Sequence, residues 1–169
     1  LPMGKESDFH GIVDLLTMEE LSFEPTTFGS EVKRNPITDE WRERAREWRE
    51  HLIDTISAQS DEITELYLEG KDIPVEMLQK AIREQTLNRT IVPVFVGASL
   101  KNIGVQPLLD GVLDYLPSPW EAPPIHGIDV KSQETVVVEA DEKDQPLGLV
   151  FKIQADREAG SLSFIRMYR

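Results

Sequence analysis

Residues 91–119 constrain the fold of this chain more than any other part of its sequence. Residues 91–96 are rich in β-branched side chains, and such a run fits a buried strand of the parallel type. Small residues at 97–99 turn the chain, and apolar residues at helical spacing follow until Pro117 ends the helix. The stretch therefore predicts a strand–loop–helix unit, and in open α/β sheets ligands bind at the loop after a strand's carboxyl end.

The chain before this unit is predicted to form a small sheet followed by helices. A strand is expected within residues 9–16, with an antiparallel partner at 19–23, and residues 25–35 have the composition of a loop. Thr38 is a candidate N-cap for the longest helix. Ser60 is a candidate cap for a second helix, although one continuous helix also fits, and a third helix follows. The longest helix carries an apolar stripe made of Trp41, Ala45, Trp48, Leu52 and Ile56.

After Pro117 the sequence changes from helical spacing to alternation. The prolines between 117 and 124 predict a stiff linker. Alternating residues at 135–138, 147–153 and 161–168 then predict strands joined by turns, which would open an antiparallel β-barrel. The predicted fold class is a mixed α+β or α/β fragment with an acidic helical part, a strand–helix unit and a partial barrel. We expect a piece of a longer protein, because the last predicted strand stops midway.

The charge balance narrows the range of partners. The net charge is −13, and residues 1–90 carry −9 of it. Such a surface repels phosphate backbones, so we expect no direct nucleic-acid binding by this half and favour basic protein partners. The sequence contains no cysteine and no apolar run of bilayer-spanning length. A cytoplasmic protein without membrane contact is therefore expected.

The motifs of catalysis and cofactor binding are incomplete. The sequence contains neither GxxxxGK[ST] nor GxGxxG, and its three histidines lack ligand-like spacing. We therefore expect no catalytic residue, no metal ligand and no cofactor bound by the chain alone. One loop remains of interest because its small residues allow backbone N–H groups to approach a planar ligand. It comprises Gly97, Ala98, Ser99 and Leu100.

A row of carboxylates with helical spacing is the second feature of interest. The row consists of Glu47, Glu50, Asp54, Asp61 and Glu65. These side chains would share one face if the helix were continuous, with Ala58 interrupting the row. Such a row is ordinarily a solvated helix face, and the functional interpretation is a docking surface for a basic partner.

Four segments, in order along the chain, resemble the elongation factor G family of translational GTPases. They are LPMGKESDFHGIVDLL from residue 1, the helix around Trp48 and Leu52, VPVFVGASLKNIGVQPLLDGVLDYLPSPWEAPPI from residue 92, and PLGLVFKIQADREAGSLSFIRMYR from residue 146. The resemblance covers essentially the whole chain.

The resemblance implies a division into four parts. Residues 1–90 would be the family's G′ insertion, 91–119 the last strand and helix of the GTPase domain, 120–124 a linker and 125–169 the start of the domain II barrel. The phosphate-binding and hydrolysis motifs would lie outside this chain, so it is not expected to hydrolyse GTP alone. The complete protein would be a GTPase that uses GTP, GDP and Mg²⁺ to drive ribosomal translocation in protein biosynthesis.

The resemblance also implies roles for the loop and for the carboxylate row. The family's fifth GTPase motif, Ser-Ala followed by Phe, Leu or Lys, corresponds to Ala98, Ser99 and Leu100, with the first two residues swapped. The Ser99 N–H would face the guanine O6, a main-chain contact that survives the swap. The carboxylate row would contact the ribosomal stalk protein.

Three alternatives stay open from the sequence. Because Ala98 and Ser99 are in the reverse of the usual order, another ribosome-acting GTPase is the first alternative, such as release factor 3 or a tetracycline-resistance protection protein. An acidic module that only docks the stalk protein is a second alternative. A stand-alone acidic α+β protein unrelated to translation is the third.

Overall fold

The computed structural model describes residues 1–24, 27, 29, 31–141, 143 and 145–169. The chain divides into two units, Leu1–Leu116 and Pro117–Arg169. Across the described residues there are four α-helices and three small antiparallel sheets, which confirms the mixed α+β class. The units separate at the first proline of the predicted linker, and the predicted boundaries at residues 90, 119 and 124 stay predictions.

The first unit contains a four-stranded antiparallel sheet in the order β1-β2-β3-β4. Its strands are β1 (Pro2–Met3), β2 (Gly11–Asp14), β3 (Glu19–Phe23) and β4 (Val32–Pro36). β2 pairs with β3 from Gly11 opposite Ser22 to Asp14 opposite Glu19, so the predicted hairpin is confirmed. The predicted loop at 25–35 is wrong over β4, which pairs along all of β3. Residues 25, 26, 28 and 30 of that loop lie outside the described residues.

Four α-helices follow the sheet in the described part of the first unit. They are α1 (Asp39–Ser57), α2 (Asp61–Leu68), α3 (Val75–Leu87) and α4 (Val105–Tyr115). The Ser60 hydroxyl accepts a hydrogen bond from the Ile63 N–H at 3.4 Å, so Ser60 caps α2 and the chain forms two helices rather than one. Thr38 occupies the N-cap position of α1, but its side chain makes no cap hydrogen bond.

The helices share one core, and the predicted stripe on α1 is only partly inside it. Ala45 and Ile56 are buried, whereas Trp48 is 46% exposed and packs edge-on against His51. Ile53, which is not part of the predicted stripe, is buried whereas Trp48 is not. The buried face of α1 is therefore rotated about the helix axis from the predicted stripe. The main helical core consists of Ile53, Ile56, Ile63, Ile73, Leu78, Ala81, Ile82 and Tyr115.

The two faces of the sheet pack against different parts of the first unit, because side chains alternate across a strand. On one face Ile12 and Leu21 form a buried cluster with Ile103, which lies just before α4. On the other face Val13 forms a buried cluster with Ala45 of α1. The sheet therefore lies between α1 and the segment that leads into α4.

The strand predicted at residues 91–96 does not form, so this prediction is wrong for the described chain. Val92 and Val94 are 83% and 84% exposed. A parallel strand requires a neighbour that shares its hydrogen bonds, and no described strand pairs with this segment. The Phe95 ring instead packs over Gly111 of α4 and lies 6.2 Å from the Tyr115 ring. Burial raises the pKa of Tyr115 to about 12, so its phenol is neutral in this core.

In the residues that the structure describes, the strands of the second unit form two hairpins. β5 (Ile125–Ile128) pairs with β6 (Thr135–Val138), and β7 (Gly148–Asp156) pairs with β8 (Gly160–Met167). The three predicted strands are confirmed as β6, β7 and β8, and β5 was not predicted. In the described part of the whole chain, no helix has the length and apolar character needed to cross a membrane.

Candidate functional site

The loop predicted to hold a ligand is closed by its own backbone. Ala98 and Ile103 exchange two N–H···O hydrogen bonds of 2.9 and 3.1 Å. Between them Ser99–Lys101 form a 3-10 turn, and Asn102 has a left-handed backbone with φ 55°. These features give the loop a defined shape immediately before α4.

Two glycines allow this loop to pack closely. A Cβ built on Gly97 would lie 2.8 Å from the Ile103 carbonyl oxygen. Gly104 has φ +81°, and a Cβ there would lie 2.7 Å from the Val96 carbonyl oxygen. Real Cβ atoms do not approach backbone oxygens this closely, so both positions require glycine.

An open cavity of about 430 Å³ adjoins the loop. Its lining residues are Pro2, Gly4, Lys5, Glu6, Phe9, Val96, Gly97 and Ala98. Of the four predicted loop residues, Gly97 and Ala98 face this cavity. Ser99 begins the 3-10 turn, and its N–H has no acceptor in the described part of the chain. The Leu100 side chain is fully exposed.

Lys101 is a loop residue that sequence reasoning missed. Its Nζ donates hydrogen bonds to the carbonyl oxygens of Glu6, at 3.2 Å, and Ser7, at 2.9 Å. These partners lie in the 3-10 turn Glu6–Asp8 between β1 and β2. The contact joins segments 94 and 95 residues apart in the chain, so no local pattern could have indicated it.

The predicted carboxylate row does not lie on one continuous helix. Glu47, Glu50 and Asp54 are on α1, Asp61 and Glu65 are on α2, and the chain turns between the two helices. The condition for a single face, one continuous helix, is therefore not met, because α1 ends before Ala58 and Ser60 begins a new helix. All five side chains are exposed, and none forms a salt bridge with another described residue.

Acidic residues are concentrated in the part of the chain that follows Arg49. Residues 50–70 contain six carboxylates and no lysine or arginine. By contrast, Glu47 lies on a mixed-charge stretch of α1, along a shallow depression of about 500 Å³ lined by Asp39, Arg42, Glu43, Arg46, Glu47 and Glu50. Arg49 donates hydrogen bonds to the Leu15 and Leu16 carbonyl oxygens, at 2.5 and 2.6 Å. We call residues 50–70 the acidic surface.

The titratable side chains of the described residues include no group of three His, Asp or Glu arranged to hold a metal ion. The chemistry that the two features offer is therefore main-chain hydrogen bonding at the loop and long-range attraction of positive charge at the acidic surface.

Comparison with known proteins places these features in a class. No family model matches the chain. The chain is 46% identical over 168 residues to elongation factor G 1 of Treponema denticola and 42% identical over 168 residues to elongation factor G 2 of Treponema pallidum. It is also similar to a solved crystal structure of a protein from Thermus thermophilus, with a TM-score of 0.68 and 27% identity across the whole chain.

These similarities identify the chain as part of a translation elongation factor. More narrowly, the chain corresponds to a segment of elongation factor G, the name that both curated relatives carry. The match covers 99% of the chain but only 25% of each of these relatives, and 22% of the solved structure. The alternatives of another ribosome-acting GTPase or of a separate docking module are not favoured by these relatives.

Proposed function

We propose that the complete protein is a GTPase of the elongation factor G type, which binds GTP or GDP with Mg²⁺ and drives translocation on the ribosome in the cytoplasm. The observation that supports this most strongly is the 46% identity to elongation factor G 1 over 99% of the chain. In this proposal the chain supplies part of a nucleotide site and a surface for a ribosomal partner, while phosphate binding and hydrolysis belong to the rest of the protein.

The loop at residues 97–100 is the proposed guanine contact. The N–H of Ser99, which has no acceptor among the described residues, supports this role because such a donor is available to a ligand oxygen such as the guanine O6. Gly97 and Ala98 face the adjoining cavity and present little side-chain bulk. The packing of Ala98 against the core formed by Ile12 and Ile103 supports the loop from behind.

Replacing Ser99 by proline in the full-length elongation factor is expected to weaken GDP binding about tenfold, because proline removes the N–H donor. Proline suits the first position of a helical turn, so the loop should keep its shape. Ser99→Ala is the matched control, since it keeps the N–H and removes only the hydroxyl. Equilibrium titration with a fluorescent GDP measures both variants. Equal affinities of the two variants would exclude the proposed contact, and a wild-type protein that binds no guanine nucleotide would refute the proposed function.

The acidic surface is the proposed docking site for a basic domain of the ribosomal stalk protein. The absence of lysine and arginine over residues 50–70 supports this, because among the carboxylates of this stretch only Glu69, which pairs with Lys71, forms a salt bridge with a described residue. Glu50, Asp54, Asp61 and Glu65 are its exposed members from the predicted row, and Glu47 precedes them on the mixed-charge stretch of α1. In this proposal residues 1–90 bind protein rather than nucleic acid.

Reversing two charges of this surface, by Asp54→Lys with Asp61→Lys, is expected to weaken stalk-protein binding about tenfold at low salt. Glu43→Lys with Glu84→Lys makes the same change in net charge at helical positions outside residues 50–70, and should reduce binding far less. Binding of the unmodified protein should weaken as salt is raised, because exposed charges are screened. Calorimetric titration at two salt concentrations checks this; a salt-independent affinity, or equal losses in both double variants, would argue against docking here.

A further inference from the structure

The loop at residues 97–100 is tethered to the sheet region by a single side chain from within its own turn. Lys101 lies two residues after Ser99, and its Nζ reaches the carbonyl oxygens of Glu6 and Ser7. These carbonyls belong to the 3-10 turn Glu6–Asp8, which is itself closed by a hydrogen bond from the Asp8 N–H to the Lys5 carbonyl at 2.9 Å. The ammonium group therefore bonds to a turn that already has a fixed shape.

The rest of the turn is exposed on its outer side, apart from the contact of Asn102 with Gly29. The Leu100 side chain is fully exposed, and Asn102 is also exposed. Ala98 and Ile103 fix the base of the loop through their paired hydrogen bonds. The backbone between them, which includes the Ser99 N–H, has two contacts outside the loop itself: Gly29 packs against Asn102, and Lys101 forms hydrogen bonds with the Glu6 and Ser7 carbonyl oxygens.

We propose that Lys101 is a positioning residue for guanine recognition, which orients the Ser99 N–H by anchoring the 3-10 turn to the Glu6 and Ser7 carbonyls. This inference rests on the guanine-contact role of the loop proposed above. Lys101 acts through the backbone of Ser99 and does not itself contact the base. A donor fixed before binding loses less conformational entropy when the ligand arrives, so anchoring increases affinity for a ligand that uses this donor.

The test uses Lys101→Met in the full-length elongation factor, which keeps the length of the side chain and removes its donors. GDP affinity is expected to fall about threefold to tenfold, the range of one net hydrogen bond. Lys101→Arg keeps a cationic donor and should recover most of the loss. Lys71→Met is the matched control, because Lys71 is an exposed lysine that pairs with Glu69 at 2.7 Å just after α2.

A second nucleotide separates positioning from general stability. The diphosphate of 2-aminopurine riboside resembles GDP but lacks O6, so it cannot use the Ser99 N–H. Lys101→Met should weaken GDP and leave the affinity for this analogue within about twofold of wild type, since only the O6 contact depends on the turn. Thermal melting should be the same for Lys101→Met and Lys71→Met.

The outcomes distinguish this inference from the function on which it rests. Equal losses for GDP and the analogue, or wild-type GDP affinity in Lys101→Met, would overturn the positioning role while leaving the guanine contact in place. A wild-type protein that binds no guanine nucleotide would overturn the proposed function and this inference together. A selective loss of GDP that arginine rescues would establish it.

Discussion

Gly104→Ala is expected to lower the free energy of unfolding of the first unit by about 2 to 4 kcal/mol. Gly104 has φ +81°, a left-handed backbone that costs a residue with a Cβ roughly 1 to 2 kcal/mol. The added methyl would also lie 2.7 Å from the Val96 carbonyl oxygen and 2.9 Å from Ile12 Cδ1. Since one neighbour is backbone and the other belongs to a buried cluster, relief requires movement of the loop relative to the sheet.

A second glycine separates the two causes. Gly70 also has a left-handed φ of +67°, but nothing lies within 4 Å of a Cβ built there. Gly70→Ala should therefore show the backbone cost alone, about 1 to 2 kcal/mol. Urea unfolding followed by circular dichroism gives both values. If both variants lost the same free energy of unfolding, the close packing of Gly104 against the Val96 carbonyl would add nothing to the cost of the substitution.

Glu20→Ala is the second change with a large expected effect, about 2 to 3 kcal/mol of unfolding free energy. The Glu20 residue is 8% exposed, and its Oε1 accepts hydrogen bonds from the Thr38 N–H at 2.8 Å and the Thr38 hydroxyl at 2.6 Å. Thr38 is the N-cap residue of α1, so the carboxylate also faces the positive end of the helix dipole. Alanine would leave the amide without its acceptor and remove that charge.

Two further variants resolve the contributions to this loss. Glu20→Gln keeps an acceptor oxygen without the charge and should lose about half as much stability as Glu20→Ala. Glu19→Ala removes the neighbouring carboxylate, which pairs with Arg34 at 3.1 Å on the surface, and should cost under about 1 kcal/mol. Chemical denaturation of the three proteins gives the comparison. A Glu20→Ala loss no larger than that of Glu19→Ala would show that the cap contributes little.

The sequence predicted those elements whose signals are local. Ser60 was identified as a cap because a serine before two acidic residues is a local signal, and the structure shows its hydrogen bond to Ile63. The β2–β3 hairpin followed from alternation over a few residues. The new helix that begins after Ser60 also divides the carboxylate row between α1 and α2, and the spacing of the carboxylates alone did not indicate this division.

Two of the differences from the predictions involve partners distant in sequence. Residues 91–96 have the composition of a buried strand, but composition does not provide the neighbouring strand that such a segment requires. Thr38 occupies the predicted N-cap position of α1, but its hydroxyl donates to Glu20, 18 residues earlier, and makes no cap hydrogen bond to the helix. Lys101 and its carbonyl partners illustrate the same limit for the candidate site. The residue types of the loop could be read from the sequence, and the contacts that hold it could not.

Ile12 and Val13 pack on opposite faces of the sheet, and this restricts insertions and deletions in β2. A single-residue insertion between Gly11 and Ile12 would turn Ile12 toward α1 and Val13 toward Ile103, because a shift of one residue exchanges the two faces of a strand. Both buried clusters would then receive a side chain of the wrong shape at once. Insertions and deletions between Gly11 and Asp14 should therefore be strongly selected against, whereas the exposed turn at 129–134 can change in length without altering either cluster.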